Sequence, residues 1–161
     1  MRRKGAENAV LYLKAIPGMI KLLAAERADL EDDYCGLRGT AMDGMPRAVN
    51  PGMPTEAQAL KTEARGIYER LQEISVRMEV LTGDAALIRG AMDDLSDKYK
   101  HLLTLRLLRG YSWVKIGVQF HKSDSTVRYW YRDALIKLAE VLSETPMPEE
   151  LEARARRARS L

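Results

Sequence analysis

The sequence predicts an all-α protein, a long N-terminal helical hairpin followed by a helix-turn-helix domain, and three observations carry the prediction. Apolar residues recur at spacings of three and four along most of the 161-residue chain. Glycine and proline concentrate in one internal segment, residues 38–54, which holds three of each. Ser112–Leu142 has the anatomy of two short helices joined by a tight turn. Composition agrees: 30% charged residues, 6% aromatic residues and a single Phe describe helices with narrow apolar stripes, not a thick core.

The first helix is expected over residues 7–37, where Val10, Leu13, Ile16, Ile20, Leu23, Leu30, Tyr34 and Leu37 form a stripe. Pro17 and Gly18 predict a separate or kinked first piece, because proline removes an amide donor and crowds the preceding turn. The 38–54 loop follows. Thr55 with Gln58 three residues later has the capping-box spacing of a helix start. From there Leu60, Ala64, Ile67, Leu71, Ile74, Met78, Leu81, Ala85, Ile88, Met92 and Leu95 alternate spacings of four and three, a coiled-coil-like stripe that Gly83 and Gly90 are expected to loosen. A stripe of this length needs a cover. The first helix, folded back as an antiparallel hairpin, is one candidate, and a second copy of the chain, giving a homo-oligomer, is the other.

Ser96 or Asp97 can cap the next helix, DKYKHLLTLRLLRG, which Gly110 ends. Ser112 and Ser123 are placed to cap the two helices of the following motif. Ile116, Phe120, Val127 and Trp130 supply its inward contacts, and Gly117 is the small residue that keeps the second helix from being held away. Thr145, Pro146 and Pro148 stop the second helix, and EELEARARRARSL reads as a short terminal helix with its acids first and its arginines last, in accord with the helix dipole. The domains expected are therefore 1–94, 95–143 and 144–161.

Charge is unevenly divided. Ser96–Ser143 carries nine Lys/Arg against four acids, a net of +5, whereas residues 1–95 carry a net of −2. A basic block can displace counterions from a phosphate backbone, which makes double-stranded DNA the expected partner. Turning 100° per residue from Val127 as the inward direction places Ser125, Arg128, Tyr129 and Arg132 on the opposite face, where they can meet a major groove. Lys98, Arg106 and Lys115, on the preceding helices, are placed for phosphates, as are Ser112, Lys122 and Ser123 at the helix starts and the turn.

Residues 95–138 resemble region 4 of the sigma-70 family, the part of a sigma factor that binds the promoter −35 element. The residues carrying the resemblance are Leu95, Leu103, Arg106, Ile116, Gly117, Gln119, Phe120, Val127, Arg128, Ala134, Leu135, Lys137 and Leu138. It implies phosphate contacts by Lys98 and Arg106, and base reading by Asp124, Ser125, Arg128 and Tyr129. Family members usually carry an Arg-Glu-Arg-type run where this chain has Asp124, Ser125 and Thr126, and often a glycine where it has His121. The usual −35 preference is therefore not carried over. The whole arrangement, with Gly44-Met45-Pro46 and Gly52-Met53-Pro54 in the loop, is similar to small phage-encoded sigma-like regulators of late genes. It implies a transcription regulator acting with host RNA polymerase. No counterpart of the promoter-melting region 2 is visible.

Two other functions fit the same pattern: a phage small terminase subunit for DNA packaging, and a helical module that docks on polymerase without reading DNA. No enzyme is expected. His121, Ser123 and Asp124 lie on one turn, a placement that rarely gives triad geometry, and the carboxylate pairs Asp32/Asp33 and Asp93/Asp94 have no accompanying His. No cofactor and no metal site is expected, and the single Cys35 excludes an intramolecular disulfide. No apolar run approaches the ~20 residues of a membrane span, and a cytoplasmic location is expected. Trp113 and Trp130 are read as core anchors. The terminal arginines Arg154, Arg156, Arg157 and Arg159 are read as a solvated helix face, with Glu150–Arg154 and Glu152–Arg156 as four-residue pairs.

Overall fold

The computed structural model describes residues 1–41 and 56–159, with side chains described at 1–36, 58–59 and 61–159. The glycine- and proline-containing stretch from Gly44 to Pro54, the capping residue Thr55, and the side chains of Leu37 and Leu60 lie outside the described residues. Among the described residues every regular element is helical: α1 (Arg3–Ala41), α2 (Glu56–Asp93), α3 (Asp97–Leu103), α4 (Trp113–Phe120), α5 (Asp124–Ser143) and α6 (Pro148–Ala158). A π-helical turn, Thr104–Leu108, continues α3. The chain divides into two compact units, one made of Met1–Pro17 with Leu81–Leu161, the other of Gly18–Val80.

Four local expectations are refined. Of the separate or kinked first piece expected at Pro17, the separate piece does not occur, because α1 is helical through Pro17; the boundary between the two compact units falls at Pro17–Gly18. The exposed proline forfeits its bond on the solvent side, while its neighbour Ile16 is buried and anchors the turn. α1 also runs on over Arg38–Ala41, and α2 is unbroken at Gly83 and Gly90. A glycine in a helix interior costs only about 1 kcal/mol relative to alanine, less than buried neighbours such as Ile88 contribute. The fourth concerns DKYKHLLTLRLLRG, which is α-helical only to Leu103. The Arg109 amide then bonds the Thr104 carbonyl at 3.0 Å, a five-residue step that shifts the register of the leucines after it.

In the larger unit, Ala6, Ala9, Val10, Leu13 and Ile16 of α1, Leu81, Ala85, Ile88 and Met92 of α2, Leu135, Leu138 and Leu142 of α5, and Leu151 and Ala155 of α6 are buried. Polar bonds link the same helices. The Tyr131 hydroxyl donates to Glu7 Oε1 at 3.1 Å, and burial first, then the Glu7 charge and hydrogen bond, hold this phenol above its usual range. Asp84 of α2 is 2% exposed and accepts from Tyr12 at 3.1 Å and from Arg154 of α6 at 2.7 and 2.8 Å.

These contacts correct the view of α6 as a merely solvated helix. Its Glu150–Arg154 and Glu152–Arg156 pairs exist, each at 3.3 Å, but Arg154 is turned mainly to Asp84 and the Leu151–Ala155 face is packed. In the smaller unit, Leu23 and Ile74 are buried and Arg70 pairs with Glu26 at 2.7 Å across the two helices. Leu22, Tyr68 and Val76 there remain exposed.

By length and composition, Arg3–Gly36 includes one window apolar enough to cross a membrane, with mean hydropathy 1.3. The expectation of no such run is modified to that extent. A helix packed in a protein core meets the same criterion; 39% of the window is buried within the protein, and Ala9, Val10, Leu13 and Ile16 of α1 are buried.

Candidate nucleic-acid interface

Gly110, at φ +71°, turns the chain out of the π-helical segment, a conformation that glycine adopts without strain. Ser112 then caps α4, its Oγ accepting from the Lys115 amide at 3.3 Å. α4 closes on His121, which sits in the left-handed region at φ 51°. The amides of His121 and Lys122 return to the carbonyls of Val118 (3.2 Å) and Gly117 (2.9 Å), satisfying groups that a helix end leaves open. Ser123 caps α5 by accepting from the Thr126 amide at 3.3 Å.

Leu102, Leu105, Ile116 and Val127 form one buried cluster, with Tyr111, Trp113, Phe120, Trp130 and Tyr131 packed around it. The aromatic rings meet edge to face, Trp113 with Tyr131 at 5.1 Å and Phe120 with Trp130 at 6.2 Å between centroids. Both tryptophans therefore belong to the core's rim. Gly117 is required for a reason other than the one the sequence suggests. A Cβ there would lie 2.8 Å from the Lys122 carbonyl oxygen, so the constraint is the backbone of the turn and not the second helix.

With Val127 fully buried, Ser125, Arg128, Tyr129 and Arg132 are exposed on α5, and Tyr129 is 69% exposed. Asp124 is half-buried and receives Arg128 Nε at 3.2 Å and Nη2 at 2.9 Å. The expected phosphate contacts are also engaged with neighbours. Lys98 Nζ lies 4.4 Å from the Trp130 ring centroid, and Lys115 Nζ lies 3.8 Å from that of Tyr111. Arg106 is half-buried, donates from Nη1 to the Tyr111 carbonyl at 2.8 Å, and stacks over Trp113 at 4.3 Å. It holds the α3–α4 connection with one nitrogen and has others to offer. Lys122 is exposed in the turn, whereas Ser112 and Ser123 are committed as caps.

The outer side of α4 and the turn form a shallow concavity lined by Val114, Gly117, Val118, Lys122 and Asp124. Val114 and Val118 are each 70% exposed there. Ser123 Oγ contacts Ser125 and Thr126, and Asp124 contacts Arg128; none of these bonds reaches His121. The arrangement supplies a ridge of hydrogen-bonding side chains flanked by cations. No family model, curated protein or solved structure matches this chain.

Proposed function

We propose that this chain is a sequence-specific double-stranded-DNA-binding protein whose α5 lies in a major groove. Within that class, the best-supported reading is a sigma region 4-like transcription regulator of the phage late-gene kind, acting with host RNA polymerase. The observation that carries it is the exposed row Ser125, Arg128, Tyr129 and Arg132 on a capped helix, opposite buried Val127 and behind a tight turn. Residues 95–143 are read as the helix-turn-helix domain and 1–94 as the helical hairpin. The bonds Tyr12–Asp84 in one unit and Arg70–Glu26 in the other support the pairing of α1 with α2.

Arg128 can form paired hydrogen bonds to guanine after leaving Asp124. An exposed i, i+4 pair contributes only about 0.3 to 0.5 kcal/mol, well below the ~1 to 3 kcal/mol of a good bidentate base contact. Exchange of partner is therefore favourable. Arg128→Ala should weaken binding to a site selected from random duplex by about 1 to 3 kcal/mol, with relaxed preference at one base position. Unchanged affinity at the selected site would remove α5's outer face as the reader. Lys98→Ala should instead weaken all sequences alike and lower the salt slope by about one, measured by titrating binding against KCl.

One feature favours the polymerase-docking alternative as a second activity: Val114 and Val118 expose an apolar strip on α4. Val118→Ser, which removes apolar surface without adding charge, would then reduce polymerase pull-down more than duplex affinity.

A further inference from the structure

The first turn of α1 and the last turns of α6 enclose a cleft of ≈ 460 Å³ lined by Arg2, Lys4, Asn8, Glu152, Arg156 and Arg159. Four cationic side chains face one carboxylate. Gly5 lies beneath the cleft, where a Cβ would fall 2.7 Å from Met1 Cγ and 2.9 Å from Glu152 Cδ, both in flexible side chains. Arg159 is steadied by Asn8, a buried side chain whose Oδ1 accepts from Nη1 at 2.9 Å. Glu152 is met by Arg156 at 3.3 Å. Among the described residues, neither Arg2 nor Lys4 forms an ion pair.

The charges here oppose the helix they sit on. The amino end of a helix carries partial positive charge and favours anions, yet the first turn of α1 has no acidic residue and carries Arg3 and Lys4 next to Arg2. Cations gathered at that end raise the local potential further, and an anion between them would relieve both. Guanidinium forks from Arg2, Arg156 and Arg159 match the tetrahedral oxygens of a phosphate, to which arginine binds in a bidentate manner.

We propose that this cleft is a phosphate-oxyanion site, distinct from the outer face of α5. Its lining comes from the start of α1 and the end of α6 and shares no residue with the turn or with the exposed row of α5; Glu7 of α1 meets α5 at Tyr131. The phosphate can come from a small phosphorylated ligand or from duplex flanking the recognised site, and the contacts required are the same.

The test is calorimetric titration of the full chain with sodium tripolyphosphate and with inorganic phosphate. The wild type should bind tripolyphosphate at least about tenfold more tightly than Arg2→Gln/Arg156→Gln. Arg156→Lys, which keeps charge but loses the fork, should fall between. Both altered side chains are exposed, and the variants should melt with the wild type. Equal affinity in wild type and double variant overturns the site, as does an equal loss in Arg128→Ala. Duplexes of about 15 and about 40 base pairs then separate the sources. A loss confined to the longer duplex assigns flanking backbone phosphate, whereas tripolyphosphate loss with both duplexes unaffected assigns a small ligand. Tripolyphosphate binding does not depend on the DNA-binding reading, so either can fail alone.

Discussion

Arg154→Ala should destabilise the larger unit by about 2 to 3 kcal/mol, because it strands a buried carboxylate. Asp84 is 2% exposed and, with Arg154 removed, keeps among the described residues only the neutral Tyr12 hydroxyl at 3.1 Å as a side-chain donor. Loss of one partner from a fully buried pair costs roughly 3 to 5 kcal/mol, but the Arg154 side chain is 32% exposed and water entering the gap offsets part of it. The packing of Leu151 and Ala155 is loosened at the same time. In a chain of this length the loss corresponds to a fall in Tm of roughly 5 to 10 °C, measurable by circular dichroism and by the urea midpoint. Removing both charges, as in Asp84→Leu/Arg154→Leu, should restore most of the stability, since a buried pair replaced by apolar residues of similar volume is commonly near neutral. Arg157→Ala offers the contrast. That side chain is exposed on the same helix, so its melting curve should overlay the wild type. An Arg154→Ala protein that also melts with the wild type would show that Asp84 does not need its partner, and that α6 is not fastened through it.

The readable parts of this molecule are those settled within a few residues. Ser112 and Ser123 announce their helices because a cap depends on the amide three positions on. Val127 reveals its face because the helical period fixes what lies opposite. The docking of α6 depends instead on Asp84, 70 residues before Arg154, while Glu150 supplies a complete local account of the same arginine. Its packed face consists of only Leu151 and Ala155, too few positions to stand out from a polar helix. The π-helical turn likewise has no local signature, because TLRLL is an ordinary helical segment whose path is set by Leu102 and Leu105 meeting Ile116 and Val127. At the candidate interface, the residue types and their exposed face are legible, but their engagements are not. Arg106 on Trp113, Lys98 on Trp130 and Lys115 on Tyr111 follow from packing of separate helices. The cationic cleft joins residues from opposite ends of the sequence, and no spacing rule reaches that far.

Gly117→Val should be the most damaging single change in the α4–α5 region, although helix propensity alone would favour it. Valine improves on glycine in a helix interior by a few tenths of a kcal/mol. Against that gain stands a Cβ placed 2.8 Å from the Lys122 carbonyl oxygen, with the Asp124 amide 3.8 Å away. These are backbone atoms and cannot swing aside as the tip of a side chain would. The Lys122 amide is bonded to the Gly117 carbonyl at 2.9 Å, so moving the turn breaks the bond that closes α4. Overpacking of this kind costs roughly 1 to 3 kcal/mol, and the two methyl groups of valine place the net loss near about 2 to 3 kcal/mol. The functional effect should exceed the loss of stability. Ser123 and Asp124 begin α5 immediately after the displaced turn, and a shift of about 1 Å in a helix proposed to read bases would misplace its whole outer row. Binding to a selected duplex should therefore fall by at least about tenfold at a temperature where far-ultraviolet circular dichroism still reports a folded chain, whereas Gly117→Ala, which adds the Cβ alone, should lie between. If Gly117→Val folds and binds as the wild type does, the close approach of α4 to the turn does not set the position of α5, and the outer row from Ser125 to Arg132 loses its geometric support as a DNA-reading face.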